Sequence, residues 1–149
     1  MKRVTVDELL QRARSRLDRL SPAEALAAQL AGALLVDLRS HDERVREGVI
    51  PGSLHVPRSV LEWRLDPTSP HSNPRACNLE QRVVLVCADG YSSSLAAATL
   101  QQLGRDGATD MVGGFRAWRR DGLPVVDAPP EPDDPPGMGP PFSASGPPY

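Results

Sequence analysis

Lysine is almost missing from this chain. Its 17 cationic side chains are Lys2 and otherwise only arginine. The arginines are scattered among acids, which reads as compositional habit rather than phosphate recognition. The formal net charge is −2, so no global field recruits nucleic acid or a membrane surface. Arg12, Arg14, Arg16 and Arg19 form the densest cluster and read as the solvated face of a helix. Cysteine is scarce as well: Cys77 and Cys87 are the only two. A chain of this size with ordinary apolar content needs no disulfide framework. No apolar run approaches a membrane span. Residues 1–8 carry acids where a secretory signal needs an apolar stretch. These absences lead us to expect a cytoplasmic protein with reduced thiols and neither nucleic-acid nor membrane partners. Its 149 residues give room for one domain.

What is present centres on Val83-Val84-Leu85-Val86-Cys87-Ala88-Asp89-Gly90-Tyr91-Ser92-Ser93-Ser94. The apolar run reads as a strand buried on both faces, as in a parallel sheet. A short loop follows, then an alanine-rich helix from about 92 to 103. Cys87 therefore sits at the carboxyl end of a strand facing a helix N-terminus, where α/β sheets place their sites. Inward-turned N–H groups of the loop, together with the first helical turn, favour an anion. Both effects favour thiolate over thiol and mark Cys87 as a nucleophile with a lowered pKa. The competing reading makes it a small hydrophobe closing a core strand.

Elsewhere the punctuation is regular. Thr5 and Glu8 have capping-box spacing before an amphipathic helix over about 6–19. Ser21-Pro22-Ala23-Glu24 opens a second helix that Gly32 can end. Residues 33–39 form a strand, and Ser40 and Glu43 cap a helix stopping at Gly48. A Pro51-Gly52 turn feeds a brief strand, and Ser59 and Glu62 cap a helix at about 60–65. Residues 66–80 are a long loop by composition, expected to be an exposed excursion or a site wall. Residues 108–112 form the last strand, and Gly113-Gly114 leads into a short final helix. From Asp127 to Tyr149 the chain is mostly proline, glycine and acid. It reads as a disordered tail, with a polyproline ligand as the sharper alternative. Three segments result: an N-terminal amphipathic helix packed on the domain (1–20), the domain itself (21–126) and the tail (127–149). Strands alternating with helices imply parallel pairing with right-handed crossovers.

Three stretches, in order, resemble a rhodanese domain, the fold of thiosulfate sulfurtransferases. They are Leu35-Val36-Asp37-Leu38-Arg39, then Glu47-Gly48-Val49-Ile50-Pro51-Gly52-Ser53-Leu54-His55-Val56-Pro57, then residues 84–93 with Gly113-Gly114-Phe115-Arg116-Ala117-Trp118. The resemblance covers about 26–126. It implies an α/β, three-layer fold: a central parallel sheet of about five short strands with helices on both faces. It implies that Cys87 takes a sulfur from a small donor, thiosulfate or a persulfide, and passes it to a thiol or protein acceptor. No metal or organic cofactor is implied. The loop Ala88, Asp89, Gly90, Tyr91, Ser92 and Ser93 would hold the anionic sulfur through converging N–H groups. Gly90 permits the tight fold. Ser92 and Ser93 either point hydroxyls inward or cap the helix. Asp37 and Arg39 read either as a structural pair or as residues just behind the pocket. Arg58 and Arg64 either line the pocket mouth or are simply solvated.

The loop departs from the family in one respect. Where many members hold a cation beside the cysteine, this chain has Ala88 and Asp89. A nearby acid opposes ionisation, so thiosulfate, a dianion, is expected to be a poorer donor than a persulfide. Phosphatase and arsenate-reductase relatives need an arginine six residues after the cysteine, and position 93 is serine. Cys77 is either an incidental loop residue or a resolving thiol. A partner-binding module with little turnover is the alternative to the enzyme.

Overall fold

Three capping boxes set the helices of the first half. Thr5, Ser21 and Ser40 each accept the N–H three residues on, and Glu8, Glu24 and Glu43 each reach back to the cap N–H. They open α1 (Val6–Arg14), α2 (Pro22–Leu30) and α3 (His41–Glu47). The remaining elements are β1 (Leu34–Asp37), β2 (Leu54–His55), α4 (Leu61–Leu65), β3 (Val83–Val86), α5 (Ser92–Gln102), β4 (Thr109–Asp110) and α6 (Gly114–Arg120). The computed structural model describes residues 1–130, so most of the expected tail lies outside the described residues.

The sheet has the order β2-β1-β3-β4, with every pair parallel. It has four strands where about five were expected. In place of a fifth stands one residue: Leu20 bridges Met111 at the outer edge. The Leu20 N–H donates to Asp110 O, and the Val112 N–H donates to Leu20 O. This bridge also shortens α1, which was expected to reach 19. The chain turns out of the helix after Arg14 so that Leu20 can reach the sheet edge, and tertiary pairing overrides the helical periodicity.

β3 is buried along its whole length, and its side chains alternate between two faces. Val83, Leu85 and Cys87 pack with Leu61, Leu65, Ala96, Ala97 and Leu100 of α4 and α5. Val84 and Val86 pack with Ala25, Ala28, Phe115 and Trp118 of α2 and α6. Helices therefore cover both faces, and α1 lies along α5.

Two local expectations change. Ser59 does not cap α4; a 3-10 turn over Arg58–Val60 leads into it, and no side chain caps its start. The 66–80 loop is not a loose excursion, for His71, Asn73 and Ala76 are buried. Arg64 of α4 donates to His71 O at 3.1 Å. Arg105, just past α5, donates to Leu65 O at 3.0 Å, to Asn78 O at 3.2 Å and to Ala76 O. Buried carbonyls need such partners, and two buried arginines supply them.

Candidate active site

The site begins where β3 ends. Gly90 has φ +85, and a Cβ there would lie 2.7 Å from Gly113 N. Gly114 has φ +63, and a Cβ there would overlap Cys87 O and the Ala88 carbonyl. Only glycine lets the two chain segments approach this closely. The approach brings the start of α6 against the loop. Phe115 N donates to Cys87 O at 2.8 Å, and Arg116 N donates to Ala88 O at 3.1 Å. The loop carbonyls thus face α6, which leaves its N–H side toward the sulfur.

The Gly90 N–H donates to Cys87 Sγ at 3.1 Å. The Cys87 S–H donates to Ser93 Oγ at 3.2 Å. Burial pushes the thiol pKa up. Hydrogen bonds from the hydroxyls of Ser93 and Ser92 and from the N–H groups of Ser93 and Gly90 outweigh it, and the net value falls below that of an ordinary thiol. The cysteine is buried but not sealed, at 7% exposure. Ser93 is committed to the sulfur and to an acid rather than to a cap, because no side chain caps α5.

That acid is Asp110 of β4, which is fully buried. It accepts from Ser93 Oγ and Ser94 Oγ, both at 2.7 Å. Arg19 meets it with two nitrogens, Nε at 2.8 Å and Nη2 at 3.2 Å. Arg19 Nη2 also donates to Gly90 O at 2.9 Å, and Arg14 Nη2 donates to the same oxygen at 2.8 Å. Arg14 Nε reaches Ser94 Oγ at 3.1 Å, and its guanidinium stands over the Tyr91 ring, 5.5 Å from the centroid. So Arg14 and Arg19 are not the solvated face the sequence suggested.

The other expected residues fall into separate places. Asp89 lies at the rim, where Arg116 Nη1 holds both its oxygens at 2.8 Å. Tyr91 is exposed, and Ser92 opens α5. Asp37 and Arg39 form a buried pair at 2.8 Å, joined by Arg44 at 3.2 Å. Arg39 stacks 3.7 Å from the Phe115 ring centroid, one residue removed from direct contact with the cysteine. Arg58 pairs with Glu62 near the surface. Arg64 is buried against the 66–80 loop, not solvated. Cys77 is exposed, and its thiol donates to Asn73 O at 3.2 Å.

Sequence reasoning missed Asp110, Ser94, Arg14 and Arg19. One signal was available: an acid within the apolar strand stretch Ala108–Val112 needs a cationic partner if buried.

Fold and site together define an α/β protein with an acidified cysteine in a strand-to-helix loop. The rhodanese-like domain model matches residues 21–121, and the chain belongs to that family. It is 34% identical over 107 residues to a sulfurtransferase of Allochromatium vinosum, spanning 70% of this chain and 91% of that protein. It is 38% identical over 101 residues to the thiosulfate sulfurtransferase GlpE of Pseudomonas syringae, spanning 68% and 86%. A solved Rhodopseudomonas palustris protein, described as of unknown function and a possible tyrosine phosphatase, superposes with a TM-score of 0.76. It is 35% identical and covers 85% of this chain and 99% of its own.

Proposed function

We propose that this protein is a rhodanese-type sulfurtransferase that carries sulfur as a Cys87 persulfide. The observation behind this reading is the hydrogen-bonded sulfur: Gly90 N and Ser93 Oγ both lie within 3.2 Å of Cys87 Sγ. The thiolate attacks the outer sulfur of thiosulfate or of a small persulfide. A new S–S bond forms, the donor's S–S bond breaks, and the electron pair leaves with sulfite or with the donor thiolate. The product, Cys87–S–S⁻, is again an anion that the same donors stabilise. An acceptor thiol or protein nucleophile then attacks the outer sulfur, and Cys87 leaves as thiolate, so no outside oxidant or reductant is needed. Ser93 serves both states by turning its one proton: its oxygen accepts from the thiol while it donates to Asp110, and the proton swings to the sulfur in the anion, leaving Asp110 to Ser94 and Arg19.

A phosphatase reading fits poorly. An oxyanion clamp needs a free guanidinium fork, position 93 is serine, and Arg14 and Arg19 are spent on Gly90 O and Asp110. Both cysteines are unpaired, which suits the reducing cytoplasm we infer. The donor is tuned at the rim. Asp89 disfavours thiosulfate relative to a persulfide, and Arg116 offsets much of that. Asp89→Ser is therefore expected to raise the thiosulfate rate by less than about fivefold, as for other exposed pairs. Unchanged turnover in both Asp89→Ser and Asp89→Arg removes Asp89 from donor choice.

The test of the main reading is intact mass after incubation with thiosulfate or a small persulfide. The expected result is a gain of one sulfur that Cys87→Ser abolishes. No adduct from any donor on folded protein would instead leave a partner-binding module.

A further inference from the structure

The loop around Cys87 holds no base of its own, yet it is gripped by two. Arg14 and Arg19 both precede residue 21, where the family match begins. Their Nη2 atoms converge on one acceptor, Gly90 O, at 2.8 and 2.9 Å. The N–H of that same residue donates to Cys87 Sγ. Gly90 is thus held between two cations on its carbonyl side and the reacting sulfur on its amide side. The hydroxyl that accepts from the sulfur is tied to the same pair: Ser93 Oγ donates to Asp110, which Arg19 clamps. Ser94 bridges Asp110 and Arg14.

We propose that Arg14 and Arg19 are positioning residues of the active site, which hold the loop with its N–H groups inward and bring the positive charge that its sequence lacks. The N-terminal segment is then part of the catalytic unit, not an ornament on it. The charges around Cys87 support this. Asp89 is matched by Arg116 at the rim, Asp110 by Arg19 beneath, and Asp37 and Glu47 beyond Phe115 by Arg39 and Arg44. His55 on β2 is bonded to Arg39 O. Arg14 has no carboxylate partner among the described residues, so the charge it sets on Gly90 O is not cancelled by an ion pair of its own. Such a charge favours the thiolate.

The inference rests on Cys87 being the reacting sulfur, but its test reads acidity rather than turnover. The Cys87 alkylation rate is measured against pH in a Cys77→Ser background, with thermal unfolding in parallel. Arg14→Gln is expected to raise the inflection and slow alkylation at neutral pH by about three- to tenfold, since one pKa unit is tenfold in thiolate. Arg14→Lys, which keeps the charge, recovers part of this loss. If Arg14→Gln does not fold, Arg19→Lys is read in its place: it keeps a cation for Asp110 but loses the fork, and the inflection again rises. A folded variant with the unshifted inflection overturns the proposal, whatever its unfolding temperature does. An ordinary inflection in the parent protein would instead fail the sulfur-transfer reading itself, so the two failures are distinct.

Discussion

Two loops of this protein are held by arginines, and they differ in what the arginines leave over. In the 66–80 loop, Arg64 and Arg105 take the carbonyls of Leu65, His71, Ala76 and Asn78. There the guanidiniums hold backbone carbonyls in place, and the nearby thiol of Cys77 bonds a carbonyl. In the Cys87 loop, Arg14 and Arg19 take Gly90 O, and α6 takes the carbonyls of Cys87 and Ala88. With its carbonyls claimed from behind, the second loop can turn N–H groups toward a sulfur. The same side-chain chemistry makes a clamp in one place and an anion site in the other. The difference is the glycines at 90 and 114, which allow the backbone to reverse its polarity.

The largest way to break this contrast is at those glycines. Gly114→Ala must force a methyl against the Cys87 carbonyl at positive φ. We expect a loss of about 3 kcal/mol or more in urea unfolding, with loss of sulfur loading. Next is Arg105→Met, which takes the donor from the buried carbonyls of Leu65 and Ala76. It should cost about 3 kcal/mol while the Cys87 titration stays put; movement of that titration would erase the distinction between the loops. Ser93→Ala should move the titration too. It costs about 2 kcal/mol of stability, because the buried Asp110 loses one of its donors, and slows Cys87 alkylation near neutrality by roughly tenfold. The smallest effect is on stability against pH. Because the folded pKa of Cys87 is depressed, its stabilisation is full above the unfolded thiol value and is lost as pH falls through the folded one. The stability of the parent relative to Cys87→Ser should therefore grow from acid to alkaline pH. A gap constant across that range would show a sulfur that does not ionise there.

The parts of this architecture written in short stretches were legible in the sequence. The valine run before Cys87, the three Ser/Thr–Glu boxes and the paired glycines each state a local preference that the fold keeps. What escaped was long-range. Arg14 and Arg19 meet Gly90 across 76 and 71 residues, and Arg19 meets Asp110 across 91. On a helical projection they look like any solvated arginines. The 66–80 loop misled for the same reason: its composition says turn, while its burial depends on Arg105, 27 residues beyond Asn78. The fifth strand that the resemblance implied is here a single bridging residue, Leu20, whose shortness no local pattern announces.

Sulfur transfer here requires Cys87 to be ionised by the backbone and hydroxyl groups around it. The direct measurement is its alkylation rate against pH in an otherwise native protein carrying Cys77→Ser. The predicted result is an inflection clearly below that of a free peptide thiol. An inflection at or above the free value, in folded protein, would contradict it.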